Sequence, residues 1–244
     1  AMGILSLPRK QQQEDVNTIS TEIQDVVHLH NITFRKNTCQ SYGGAIHFKT
    51  LELPFSRSPL ALTTLRLEEC TFDENVAWSG GGAISMFGGG GTTTAQSSSD
   101  LLPPIRADVV NTRFIGNFAY IGGAITSSSS VFPSIHSNHD EILESSSSSS
   151  YHHARMFMDV YTNCTFIKNK ASNNGGALHS TKTSLIKFVQ TRFKANVAEG
   201  EQQQQPQTQP EQEQDMEEGG AGGALYVKDT SLHLEHCVFD TNMA

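Results

Sequence analysis

The feature that most constrains the fold is a strict alternation of two short motifs along the chain. A Phe-x-x-Asn unit occurs six times, at Phe34/Asn37, Phe72/Asn75, Phe114/Asn117, Phe166/Asn169, Phe193/Asn196 and Phe239/Asn242. Between successive copies stands one Gly-Gly-Ala followed by Ile or Leu. Its glycines are Gly43 and Gly44, Gly81 and Gly82, Gly122 and Gly123, Gly175 and Gly176, and Gly222 and Gly223. Repetition of this kind marks a solenoid, in which a repeat buries its apolar face only against its neighbours.

Aligning on the phenylalanines exposes further columns. Two residues earlier stand Ile32, Cys70, Thr112, Cys164, Thr191 and Cys237. Five residues earlier come Leu29, Leu67, Val109, Tyr161, Phe188 and Leu234, and seven earlier Val27, Leu65, Ala107, Asp159, Ile186 and Leu232. Residues two apart face one side of a strand, so each repeat has one strand of the form V-x-L and another of the form C-x-F. The spacing of three between them breaks the alternation and demands a corner, at the polar column Asn31, Glu69, Asn111, Asn163, Gln190 and His236. A third strand follows the glycines. Two places after each motif Asn the residue is small: Cys39, Ala77, Ala119, Ala171, Ala198 and Ala244.

Three strands per turn describe an all-β coil that climbs one strand spacing, about 4.8 Å, per repeat. That is a single-stranded parallel β-helix of five to six coils, with Phe stacked on Phe inside and Asn on Asn at a bend, where amides can bond from coil to coil. The glycine pair is expected to supply backbone angles closed to residues with a Cβ. Apolar spacing of the helical kind appears only at Val16, Ile19, Ile23 and Val26, which fit either a helix or an additional strand. Residues 1–20 read as a flank or cap, and 21–244 as the repeat domain. Insertions fall at 49–63, 87–105, 127–157 and 199–219.

The formal net charge of -8 is local: Glu199 to Glu218 holds seven Asp or Glu and no Lys or Arg. The remainder is near neutral, so no basic face exists to track phosphates, and nucleic acid is not an expected partner. No apolar run is long enough to span a bilayer. The start lacks a secretory signal and the end follows a motif abruptly, so the chain reads as a piece of a longer protein. Ser- and Gln-rich stretches such as ESSSSSSYHH and EQQQQPQTQPEQEQ carry too little apolar surface to order and read as disordered spacers. The fourth coil needs only His179 to Leu185 to turn the corner at which the first three carry insertions. Those three loops should therefore emerge one above another along one edge, the expected contact face.

Alternating GGA[IL] and FxxN units over Val27 to Ala244 resemble the repeats of the chlamydial polymorphic membrane proteins. The resemblance implies a right-handed, pectin-lyase-like solenoid, displayed as the passenger of an autotransporter and acting in adhesion. It implies an extracellular or cell-surface location, with the outer membrane reached through a longer protein, and an unknown protein or glycan as partner. The homopolymeric insertions depart from compact bacterial repeats, and similar repeats occur in surface proteins of algae and other eukaryotes.

A polysaccharide-active lyase or hydrolase, or a glycan-binding protein, is the alternative on such a scaffold. Glycosidic cleavage needs two carboxylates across one groove. The x-x positions of FxxN read RK, DE, IG, IK, KA and DT, without a carboxylate ladder, and Asp73, Glu74 and Asp240 read as solvated corner residues. No clustered carboxylates suggest calcium, and the histidines, His28, His30, His152, His153, His233 and His236 among them, lack zinc spacing. No catalytic, cofactor or metal residue is assigned. Cys70, Cys164 and Cys237 share a column but alternate with threonines, about 9 to 10 Å apart, beyond disulfide reach. They read as buried apolar fillers, with Cys39 in the alanine column. The sequons at Asn31 and Asn163 belong to the corner column, where a structural use is expected.

Overall fold

The computed structural model describes residues 24–49, 62–88, 105–129, 158–181, 183, 185–200 and 221–244. The expected flank at 1–20, with Val16 and Ile19, and Ile23 beside it, lies outside them, as do 50–61, 89–104, 130–157 and 201–220 within or beside the expected insertions. Val26 belongs to a strand, Gln24–His30.

Every regular element among the described residues is a β-strand, and every strand pairing is parallel. The strands form four sheets, one more than the motif spacing predicts. The first sheet comprises Gln24–His30, Leu62–Glu68, Ile105–Val110, Met158–Thr162, Leu185–Val189 and Ser231–Glu235. The second holds the phenylalanines, from Thr33–Arg35 to Val238–Asp240. A third sheet of two-residue strands, Thr38–Cys39, Val76–Ala77, Phe118–Ala119, Lys170–Ala171 and Val197–Ala198, accounts for the small column after each motif Asn. Strands after the glycines, from Ile46–Lys49 to Leu225–Lys228, make the fourth. The chain is thus a parallel β-helix of five coils and part of a sixth, consistent with the right-handed winding that parallel crossovers favour.

Each coil turns three corners through left-handed backbone. The first is the polar column, with φ of 51° to 55° at Asn31, Glu69, Asn111, Asn163, Gln190 and His236. The second is the residue before each motif Asn: Lys36, Glu74, Gly116, Lys168, Ala195 and Thr241. The third is the first glycine of each pair, Gly43, Gly81, Gly122, Gly175 and Gly222. The second glycine is needed for another reason. A Cβ on Gly44, Gly82, Gly123 or Gly176 would overlap the carbonyl oxygen of the second glycine one coil along, and on Gly223 that of Met243. Only half of the pair therefore serves backbone angle; the other half lets two backbones touch.

The core runs as one spine. The six phenylalanine rings stack at centroid distances of 4.9, 5.0, 4.7, 4.9 and 4.7 Å, nearly parallel throughout. Phe72, Phe114, Phe166 and Phe193 are fully buried, whereas Phe239 in the last coil is 46% exposed. Beside them runs an amide ladder. Asn169 Nδ2 donates to Asn196 Oδ1 (2.9 Å) and to the Phe114 carbonyl (3.0 Å), while its Oδ1 accepts from Asn117 Nδ2 (2.9 Å) and the Asn117 backbone N–H (3.1 Å). The same linkage runs from Asn37 through Asn75, Asn117, Asn169 and Asn196 to Asn242. Buried amides fully satisfied in this way add order without an unpaired polar group.

The cysteine column does more than fill space. Cys70 Sγ donates to the carbonyls of Leu29 and Glu68, and Cys164 Sγ to those of Val109 and Thr162. Thr112 and Thr191 make the equivalent bonds through Oγ1 to Val110 and to Tyr161 and Val189. All four cysteines are free thiols.

Candidate binding edge

The fourth insertion leaves after Val197–Ala198, between the third sheet and the fourth, whereas the corner between the fourth sheet and the first carries the first three insertions. Fourth-sheet strands end there at Lys49, Gly88 and Ser129, and first-sheet strands resume at Leu62, Ile105 and Met158. Register is kept on both sides: Lys49 pairs with Phe87 and Ser128 with Phe87 and Thr181, while Thr63 pairs with Ile105 and Met158 with Leu185. The insertion stems are therefore stacked in a line along one edge. Coil four closes the same corner tightly, with Ser180 and Thr183 hydroxyls 3.0 Å apart and the Thr183 N–H donating to Thr230 Oγ1 at 3.0 Å.

The longest insertion is closed by a carboxylate. Asp159, 2% exposed, accepts from the Ala107 N–H through Oδ1 (2.8 Å) and from Ser127 Oγ through Oδ2 (3.1 Å). Backbone pairing between Ile105–Val110 and Met158–Thr162 begins only at Asp108 and Val160, so the side chain completes the ladder at the level below. Burial raises the Asp159 pKa to about 6, against the opposing pull of the two hydrogen bonds and the Arg106 charge. Nothing singled out Asp159 in the sequence except its place in an inward column otherwise filled by Val, Leu, Ala and Ile; that anomaly was the available signal.

The corner carboxylates are paired from coil to coil. Asp73 meets Arg35 at 2.9 Å, Glu74 meets Lys36 at 3.4 Å, and Asp240 meets Lys194 and Arg192 at 3.5 and 3.6 Å. His28 and His30 lie 3.4 and 3.7 Å from Glu68 and Glu69, and His233 3.8 Å from Glu235. His152 and His153 lie outside the described residues. Among the described residues no three His, Cys, Asp or Glu are grouped to hold a metal ion, and no helix is long and apolar enough to cross a membrane. Asn31 and Asn163 sit at exposed corners, the latter donating from Nδ2 to Asn111 Oδ1 at 2.8 Å.

A segment that runs from the first left-handed corner, through the Phe and Asn ladders and the glycine turn, to the end of the fourth-sheet strand defines a repeat that can be compared with known families. Residues 31–49 and 163–181 match the Chlamydia polymorphic membrane protein repeat. Each match spans three successive strands and all three left-handed corners of one coil. The polymorphic membrane protein repeat is thus, in this chain, one turn of the β-helix less its first-sheet strand. The other complete coils carry the same two motifs in the same ladders. Comparison with curated proteins and with solved structures finds no significant match.

Proposed function

We propose that this chain is a non-enzymatic β-helix module, secreted or displayed at a cell surface, that binds a partner through the stacked insertion edge. One observation carries the reading: three insertion stems rise in register from one corner, while the same corner in coil four is closed by a short Ser/Thr-bonded turn. A rigid rod that presents several loops along one line suits adhesion, because loops tolerate sequence change while the scaffold fixes their spacing. The polymorphic membrane protein repeats support the surface location. Ion pairing of Asp73, Glu74 and Asp240 with neighbouring bases, and the enclosure of Asp159, support a structural rather than catalytic use of these carboxylates.

The test is to replace the insertions of coils one to three with the Lys182–Ser184 connection of coil four and to compare both proteins, fluorescently labelled, on cultured cells by flow cytometry. The trimmed rod should keep its far-ultraviolet circular dichroism and lose cell binding. Undiminished binding by the trimmed rod would exclude the edge as the contact face.

A further inference from the structure

The corner between the third and fourth sheets has a chemistry unlike its neighbours. Other outward corners carry cross-coil ion pairs such as Arg35–Asp73, Lys36–Glu74 and Lys194–Asp240. Here the register-equivalent residues 38–46, 76–84, 118–125 and 170–178 of coils one to four hold one charged side chain, Lys170, which pairs with Glu199 of coil five at 2.6 Å. Exposed aromatic rings stand on coils one to three instead. Trp78, the only tryptophan of the chain, is 71% exposed immediately after the strand Val76–Ala77. Tyr120 occupies the equivalent position after Phe118–Ala119, one coil along, and is 38% exposed. Tyr42, 37% exposed, stands on coil one, where its backbone bridges to Gly80.

Two of these rings are positioned by neighbours. Asn173 Nδ2 donates to the Tyr120 hydroxyl at 3.4 Å, and Tyr42 packs edge-on against Phe87 with centroids 4.8 Å apart. Around them stand neutral amides and hydroxyls, those of Gln40, Ser41, Ser79 and Ser172. Flat amphipathic rings flanked by neutral hydrogen-bonding groups match a pyranose, whose C–H face stacks on an aromatic while its hydroxyls reach amides. The cation that borders the strip, Lys170, is already paired with Glu199 at 2.6 Å, so a phosphate or carboxylate would have to displace that partner. Size argues against a protein. Four coils at about 4.8 Å rise make a strip roughly 15 to 19 Å tall and one turn wide, well below the ~800 Å² per partner of a stable protein interface.

We propose that this corner is a binding strip for a neutral oligosaccharide, with Trp78 and Tyr120 as stacking platforms one coil apart and Tyr42 at the margin. The strip is separate from the insertion edge, from which the fourth sheet divides it, and goes beyond the contact face proposed above.

Trp78 supplies its own probe, since all tryptophan emission comes from the strip. The full chain is titrated with neutral oligosaccharides of glucose, mannose, xylose and galactose, and with oligogalacturonate as an anionic control. At least one neutral probe should give a saturable change in Trp78 emission, and oligogalacturonate none. By calorimetry Trp78→Ala and Tyr120→Ala should each weaken that binding about tenfold, the usual scale for one lost stacking ring. Lys168→Ala, at a different corner, should bind as the parent does. Unchanged thermal unfolding of the two aromatic variants separates loss of binding from loss of fold. An absence of response across the neutral panel at millimolar concentration overturns the proposal, as does a response to oligogalacturonate alone or binding unaffected by both substitutions. The trimmed rod keeps the strip, so it should bind sugar and not cells if both readings hold; retained cell binding overturns the insertion edge alone, and absent sugar binding overturns the strip alone.

Discussion

Ser127 Oγ donates to Asp159 Oδ2 at 3.1 Å, so a single hydrogen bond joins the strand that precedes the third insertion to the strand that follows it. The carboxyl is fully enclosed, and its pKa rises from 3.8 to about 6 because burial disfavours the charge. Below the unfolded value both states hold the proton. As pH rises from about 4 through 6, the unfolded chain releases it while the folded chain must either retain it or carry a buried charge, so stability falls. A shift of this size corresponds to roughly 2 to 3 kcal/mol. Asp159→Asn, which keeps an acceptor for Ala107 N–H, should gain on the order of that amount at pH 7 and flatten the slope between pH 4 and 6. Urea unfolding at a series of pH values reads both effects; an unchanged slope would place the titration elsewhere.

The asparagine ladder predicts a gradient along the rod. The Asn169 side chain makes four buried hydrogen bonds, and removing it strands the Phe114 carbonyl and the donors of Asn117. Each buried group left unpaired costs about 1 to 3 kcal/mol, so Asn169→Ala should cost roughly 3 kcal/mol or more. Asn242 stands in the last coil, where water reaches the ladder, and Asn242→Ala should cost roughly 1 kcal/mol, the net worth of one ordinary hydrogen bond. Equal losses at the two sites in chemical denaturation would contradict the gradient.

Left-handed backbone at non-glycine residues is a reservoir of stability. Lys168 holds φ at 54°, and Gly116 occupies the same corner one coil earlier. Left-handed backbone costs a residue with a Cβ about 1 to 2 kcal/mol, partly offset by the greater freedom of an unfolded glycine. Lys168→Gly should therefore raise stability by roughly 0.5 to 1 kcal/mol, visible as a higher urea midpoint, and Gly116→Lys should lower it by a similar amount.

Phe166 is clasped between Phe114 at 4.7 Å and Phe193 at 4.9 Å and has no exposed surface. Phe166→Ala should cost about 3 to 5 kcal/mol, since stacked backbones cannot collapse into the cavity. Phe239→Ala, at a half-exposed ring, should cost clearly less.

Much of the fold was legible because the period-two positions of V-x-L and C-x-F assign their own inward faces. The third sheet was not, since a two-residue strand shows no alternation; its trace was the smallness of Cys39, Ala77, Ala119, Ala171 and Ala198. Gly122 and Gly123 look alike in sequence although one sets a left-handed φ and the other admits the Gly176 carbonyl, because both demands select the same residue. The hydrogen bonds of Cys70 and Cys164 were hidden for a similar reason: a thiol can be chosen for volume or for donation, and only the neighbouring carbonyls decide. The stem of the insertion edge could be placed by counting residues from His179 to Leu185. Asp159 as its clasp needed coordinates, because its partner Ser127 lies 32 positions away. Trp78 was visible as a lone tryptophan, but its exposure depends on which way a turn leaves a strand of two residues.

The second glycines form a line in which backbone meets backbone from Gly44 to Gly223. No side chain there has to be matched to its neighbour, so a gene that duplicates or deletes one whole repeat leaves every remaining junction as it was. A point change on that line, by contrast, meets a main chain that cannot yield. Divergence in such a molecule should arrive as turns added or removed and as rewritten loops, while the seam itself stays silent.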